Sequence, residues 1–263
     1  MSWLRPLGQT GLEVSALGLG TVKLGRNEGV KYPAGFELPD DRSARALLDQ
    51  AWELGINLLD TAPAYGSSEA RLGELLRGDK RPWLICSKVG EEFENGESRH
   101  DFSPEHTRLS VERSLRRLGR DCIEIVLVHS DGDDLAIIEQ HGTLEALAEL
   151  KREGKLRSFG MSTKSVAGGL AAVPRCDALM VTYNLAEQAE EPVLAACHEA
   201  GCGVLLKKVF ASGHLAEAEE DSVLASLRLA LGHPATGCAI IGTINPGHLA
   251  GNVAAAREAL GTR

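Results

Sequence analysis

Asp60, Tyr65, Lys88 and His129 are the side chains whose types and spacing suit acid–base chemistry. Asp60 ends the apolar run "INLL", and Tyr65 follows five residues later beside a proline and a glycine. Lys88 follows "WLICS" and His129 follows "EIVLV". Tyrosine titrates near ~10, so alone it is a poor acid at neutral pH. A nearby lysine ammonium favours the phenolate and lowers that value. A buried lysine holds its charge only beside a carboxylate, which Asp60 supplies. A neutral histidine can donate a hydrogen bond to a substrate oxygen. Taken singly, each has a plain structural reading: a strand-end histidine, an acid capping a turn, a solvated lysine. Together they can polarise and protonate a carbonyl oxygen, after which another agent, naturally a hydride donor, must attack the carbon. No activated serine or cysteine accompanies them, and the carboxylates are too few for a hydrolytic metal site.

The elements that must position these groups are short apolar runs alternating with amphipathic stretches. Strands are expected at Ala16–Leu19, Ile56–Leu59, Trp83–Ser87, Ile123–Val128, Ser158–Met161, Ala178–Thr182, Gly203–Leu206 and Ala239–Ile241. Their near-continuous apolar character suits parallel strands covered on both faces. Helices are expected over Ser43–Leu54, after Ser103–Pro104 up to Gly119, from a Thr143 cap to Gly154, and from Asn245–Pro246. Eight strand–helix units predict a (β/α)8 TIM barrel, an α/β fold, as one domain over 1–263, and "RPLGQTGLEVS" reads as an N-terminal β-hairpin plugging its bottom. An open doubly wound sheet is the alternative, but "GLGTVKLGRNEG" lacks its glycine pattern and shows no immediate helix. "LPDD" and "DGDD" read as loops. In a barrel, Asp60, Lys88, His129 and Ser162–Thr163 all fall at C-terminal strand ends, where the chemistry belongs.

Net charge is −9, which argues against nucleic acid and anionic membrane as partners. No secretory leader or membrane span is visible, and the six cysteines are scattered without a CxxC pair, so reduced core thiols in a cytoplasmic protein are expected. Cys197, His198 and Cys202 have no second ligand pair, so no metal is expected.

At this point the sequence resembles the aldo-keto reductase family, bacterial type, over nearly its whole length. "LLDTAPAYGSSEARLGELL" is similar to the signature Asp-Thr-Ala-x-x-Tyr-Gly-x-Ser-Glu segment. "GLGT", "ICSKVG", "IVLVHS", "GKLRSFGMST" and "AIIGTINPGHLAGN" resemble other family segments in the same order. The resemblance implies a nicotinamide-dependent reductase of aldehydes or ketones, with NADP(H) as cofactor and NAD(H) as the alternative. It makes Tyr65 the proton donor, Lys88 the group lowering its pKa, Asp60 the holder of Lys88, and His129 the residue orienting the carbonyl. Thr21, Asp60, Ser162, Thr163, Lys207, Gly242, Thr243, His248 and Asn252 become the cofactor contacts. The departures concern the cofactor: Thr163 replaces an asparagine, Met180 a glutamine, and Lys207 a ring-stacking tyrosine. Gly242 and His248 stand where many members place cations around a 2′-phosphate. Lys207 is expected either to favour the reduced cofactor or to turn toward a phosphate.

Two other readings stay open: a Schiff-base barrel lyase using Lys88, and a nucleotide-binding regulatory subunit with little turnover. The substrate is not legible beyond a small-molecule carbonyl compound, and neither is the oligomeric state. Its walls are expected in residues 22–36 and 91–102, with Phe93 and Phe102 as apolar contacts, and after His129. The short stretch after the last helix, "ALGTR", suggests an open site of broad specificity.

Overall fold

The computed structural model describes residues 1–30, 35–211 and 220–262. The parts of the expected wall at 31–34 and of the tail at 263 lie outside the described residues. Eight parallel strands close into a barrel: β1 (Leu17–Gly20), β2 (Leu58–Asp60), β3 (Leu84–Val89), β4 (Ile123–His129), β5 (Leu156–Ser162), β6 (Ala178–Thr182), β7 (Gly203–Lys207) and β8 (Thr236–Ile241). Every expected strand is present, with its ends shifted by at most three residues and Ala178–Thr182 unchanged. The ring closes through pairing of β8 with β1, which excludes the open sheet.

Two apolar layers follow from strand alternation. One lies between the sheet and the surrounding helices. The other fills the lumen with Leu58, Cys86, Ile125, Leu127, Met180, Leu205 and Cys238. The N-terminal hairpin, Leu4–Pro6 with Glu13–Ser15, adds Leu7, Leu12 and Val14 to this lumen and plugs it. Gly8 makes the plug possible, because a Cβ there would sit 2.4 Å from the Gly203 nitrogen. Each fully buried leucine contributes roughly 2 kcal/mol, so the two layers together carry most of the driving force.

The side chains two residues beyond the lumen layer point the same way, because strand side chains alternate with period two. They are Asp60 after Leu58, Lys88 after Cys86, His129 after Leu127 and Lys207 after Leu205. Register adds Ser162, which pairs with His129 on one side and Met180 on the other.

The helices show where local signals were misplaced. Pro104–Leu118 starts and stops as expected, with the Ser103 hydroxyl accepting from the His106 amide at 3.2 Å and left-handed Gly119 ending it. Asn245 caps Pro246–Leu260, accepting from Gly247 and His248 amides at 2.8 and 3.2 Å. The helix expected from Ser43 spans Asp41–Glu53 instead, because Asp40 in "LPDD" is the cap and accepts from the Ser43 amide at 2.7 Å. Thr143 is not a cap: left-handed Gly142 takes that place, and the Thr143 hydroxyl donates to the Phe102 carbonyl. "DGDD" is not simply a loop, since Asp133 caps a helix over Asp134–Gln140. A four-residue helix, Val22–Gly25, follows β1 directly.

Candidate active site

The C-terminal mouth of the barrel opens into a cavity of about 1600 Å³. Asp60, Tyr65, Lys88 and His129 line one side of it, brought together from the ends of three consecutive strands and the turn after the first. Lys88 is 1% exposed and donates to the Asp60 carboxylate and, at 3.0 Å, to the Thr61 carbonyl. Burial alone would push its ammonium toward neutrality; the Asp60 charge overcomes this and the net direction is upward. Lys88 is therefore a fixed cation.

Tyr65 closes a single 3-10 turn, Pro63–Tyr65. Gly66 follows with φ of +61°, and a Cβ there would meet the Gly25 carbonyl at 2.3 Å, so the turn seats tightly on the helix after β1. The ring centroid lies 5.8 Å from Lys88 Nζ and stands edge-on to His129 at 6.4 Å. A cation at this distance stabilises a phenolate more than a phenol.

His129 Nδ1 lies 2.7 Å from Glu91 Oε2, a short contact off the axis of an ideal ring hydrogen bond. Burial lowers the His129 pKa; Glu91 opposes this, Lys88 and Lys207 add to it, and the net direction is down.

The opposite side holds the expected cofactor contacts. Ser162, Thr163, Lys207, Gly242, Thr243, His248 and Asn252 all line the cavity. Lys207 donates to Ser162 Oγ at 2.9 Å and to the Thr163 carbonyl at 2.6 Å, so it points at this pair and not toward a phosphate-binding end. Burial brings its pKa down to about 8, against the pull of Glu190 and with the push of Lys208 and Lys164. Thr21 does not line the cavity. It is fully buried, its hydroxyl donates to the Asp60 carbonyl at 2.9 Å, and it shares a 2.8 Å contact with Ser68 Oγ, so it braces β2 instead.

Two expected substrate contacts are spent elsewhere. Phe102 is buried between His100 and His141, and Phe93 carries the Arg26 guanidinium at 3.4 Å. The polar segment that contains Phe93 is a hairpin, Glu91–Glu94 with Glu97–His100, and Glu91, Ser98 and His100 line the cavity with Lys23 and Arg26.

Three acids escaped the sequence reading. Glu91 faces His129. Glu190 is buried, accepts from the Thr182 amide at 2.7 Å and from the Thr163 hydroxyl at 3.4 Å, and has its pKa raised, mainly by burial. Asp134 accepts from the Lys164 and Ser165 amides at 3.0 and 2.8 Å and from Ser130 Oγ at 2.5 Å, tying the loop after His129 to the loop after Ser162. None was singled out in the sequence, because each also reaches a segment more than 25 residues away.

Among the described residues, no three His, Cys, Asp or Glu side chains group to hold a metal ion. Among the same residues no helix is long and apolar enough to cross a membrane.

A family model described as "Aldo/keto reductase family" matches residues 16–226. A solved Pseudomonas aeruginosa structure assigned to the aldo-keto reductases is 54% identical, covers 98% of this chain and 96% of its own, and superposes with a TM-score of 0.89. The holo form of an aldo-keto reductase from Bacillus halodurans is 27% identical, with 99% and 96% covered and a TM-score of 0.81. The D-threo-aldose 1-dehydrogenase of a Pseudomonas species is 30% identical over 238 residues, which are 80% of this chain and 70% of that protein.

Proposed function

The chain belongs to the aldo/keto reductase family, and from that premise we propose that Tyr65 delivers the proton in nicotinamide-dependent reduction of a small carbonyl compound. Membership makes the protein a nicotinamide-linked oxidoreductase of small-molecule carbonyl compounds. The observation that carries the finer reading is the buried Lys88–Asp60 pair under the Tyr65 ring.

The cavity offers a donor set that suits the cofactor. Tyr65, His129, His248 and Asn252 line it together with the hydroxyl-bearing Ser162 and Thr182. Ser162 accepts from Lys207, which leaves its own proton free to donate to an amide oxygen. When bound, the nicotinamide supplies or takes up a hydride. Every other task falls to this chain. Lys88 keeps Tyr65 acidic enough to protonate an alkoxide as it forms, and Asp60 keeps Lys88 charged. His129 fixes the substrate oxygen beside the phenol. Aligning proton donor and oxygen in a water-poor site is worth roughly 10²–10⁴ in rate. A Schiff-base role for Lys88 does not suit this geometry, because such a lysine must lose its proton and Lys88 is held charged.

The polar wall of Lys23, Arg26, Glu91, Ser98 and His100 favours a hydroxylated substrate such as a small aldose, in keeping with the aldose dehydrogenase relative. NADP(H) is the cofactor expected from the family, but one observation favours NAD(H). The wall at the His248 end contains Glu258 and, among the described residues from 220 onward, no lysine or arginine. A carboxylate there suits a free ribose hydroxyl better than a phosphate.

The test is a fluorescence titration with NADPH and NADH, followed by Tyr65→Phe. Both cofactors bind the wild type in the expected outcome, and the variant loses at least ~10²-fold in turnover with unchanged cofactor affinity. Absence of binding to either cofactor, or full turnover in Tyr65→Phe, overturns the reading.

A further inference from the structure

β5 ends at Ser162 and the next helix begins at Val166, so residues 162–165 form a turn, and all of their side chains line the cavity. Asp134 stands behind this turn, 1% exposed and off the cavity wall. We infer that Asp134 is a positioning residue for the nicotinamide half of the cofactor: it locks the turn in place, so that Ser162 and Thr163 keep a fixed geometry at the reacting end. This rests on the nicotinamide-dependent reading proposed above.

Both carboxylate oxygens of Asp134 are engaged. Oδ2 accepts from the Lys164 amide at 3.0 Å, the Ser165 amide at 2.8 Å and Ser165 Oγ at 2.7 Å. Oδ1 accepts from the hydroxyl of Ser130, the residue after His129, at 2.5 Å. The two amides lie at the break between strand and helix, where an orphan N–H needs a side-chain acceptor. Gly168 makes room for that acceptor: a Cβ there would lie 2.1 Å from Asp134 Cβ and 2.4 Å from Oδ2. From the cavity side, Lys207 donates to Ser162 Oγ and to the Thr163 carbonyl, and Glu190 accepts from the Thr163 hydroxyl. The turn is gripped from both faces, and Asp134 holds its far half.

The location of the turn decides which half of the cofactor feels it. Hydride transfer requires the nicotinamide ring to lie beside the carbon whose oxygen meets Tyr65 and His129. Register places Ser162 opposite His129 on the adjacent strand, ~4.8 Å away, so the turn borders this end. His248 and Asn252 belong to a separate helix, Pro246–Leu260. Removing the Asp134 carboxylate leaves two amides without their acceptor and lets the turn relax, and the loss falls on the nicotinamide half. The charge acts the other way. Deleting a carboxylate would, by its field alone, tighten every anionic ligand in the cavity. A loss of affinity confined to ligands that carry the nicotinamide is therefore the mark of geometry.

The experiment is calorimetric titration of the full chain with two ligands. One is the reduced nicotinamide cofactor that the wild type prefers. The other is ADP-ribose with the matching 2′ group, which keeps the adenosine and both phosphates but lacks the nicotinamide. Asp134→Ala is expected to weaken the cofactor about tenfold or more and to leave ADP-ribose within about twofold of the wild type. Asp134→Asn is expected to restore most of the loss, because its oxygen can replace Oδ2 while its amide donates to Ser130 Oγ. Gly168→Ala keeps the charge but crowds the carboxylate off the amides. It should reproduce the selective loss, and it decides the matter if Asp134→Ala does not fold. Equal weakening of both ligands, tightening of both, no change, or an Asn variant as weak as the Ala variant overturns the inference. A wild type that binds neither nicotinamide cofactor sinks the reductase reading and this inference with it. A wild type that binds, with no selective loss in the variants, sinks this inference alone.

Discussion

Lys88 and Lys207 end barrel strands β3 and β7, four strands apart across one cavity, and their surroundings drive them in opposite directions. Burial penalises the ammonium of both. Lys88 touches the Asp60 carboxylate and is driven up. Lys207 touches a hydroxyl and a backbone carbonyl, and its carboxylate neighbour Glu190 is committed to Thr182 and Thr163. Lys208 and Lys164 add repulsion, and Lys207 falls to about 8. The lesson is that desolvation alone does not set the state of a buried lysine; the counter-charge in contact does. One side of the cavity is built to hold fixed charge for proton delivery. The other holds an ammonium that gives up its proton only as pH rises past about 8.

Removing the counter-charge should make the first side resemble the second, and it carries the largest expected effect. Asp60→Asn leaves Lys88 buried without its carboxylate. Breaking a buried ion pair by removing one partner typically costs about 3–5 kcal/mol, and Lys88 would also lose protons near neutral pH. Urea denaturation at pH 7 checks the first effect, and turnover, expected to fall at least ~10²-fold, checks the second. A variant as stable and active as the wild type would break the comparison.

The convergence of Asp60, Tyr65, Lys88 and His129 on one cavity was legible in the sequence because its signals are local. Asp60, Lys88 and His129 each close an apolar run, and the apolar runs themselves located all eight strands. Of the residues expected to contact the cofactor, Asp60, Ser162, Thr163, Lys207, Gly242, Thr243, His248 and Asn252 all lie on the cavity, and Thr21 alone is turned inward to brace Asp60. Reading the period of two from Leu205 to Lys207 would have shown that Lys207 points inward with Lys88; its partners were still invisible. Glu91, Glu190 and Asp134 also make contacts with segments 27 to 38 residues away, which no local pattern encodes. The helix caps slipped for a related reason: Asp40 and Ser43, or Gly142 and Thr143, are both acceptable starts, and tertiary contacts choose between them.

A smaller effect is expected from Lys207→Met, which deletes the ionisable group and keeps the stem. The folded Lys207 pKa lies below the ordinary 10.5, so the fold favours the uncharged amine. Its contribution to stability is fully present above that ordinary value and is lost as pH falls through about 8. The variant should therefore gain stability over the wild type at pH 7 and not at pH 10.5, measured by denaturant midpoints. Oxidised-cofactor affinity should rise by up to about tenfold in the wild type as pH passes through this range, roughly 1.4 kcal/mol, and stay flat in the variant. An equal pH response in both proteins would mean that Lys207 is a fixed charge like Lys88.

The smallest effect concerns how far the shortage of positive charge extends along the cofactor side. Glu258 lines the His248 end and pairs with Arg228 at 3.0 Å, both well exposed. Glu258→Lys removes a carboxylate, adds an ammonium and frees Arg228. Exposed charges act through high dielectric and salt, so the gain toward a 2′-phosphate should be modest, about tenfold in the NADPH-to-NADH affinity ratio at low ionic strength. It should shrink on adding ~0.5 M salt, because screening shortens the reach of both charges. Glu258→Gln should give a smaller shift in the same direction, since it removes repulsion without adding attraction. An unchanged ratio in both variants would place the 2′ position away from this helix and confine the charge-poor character to the neighbourhood of Lys207. A shift that survives high salt would instead point to direct, desolvated contact with the phosphate, a stronger interaction than an exposed rim charge provides.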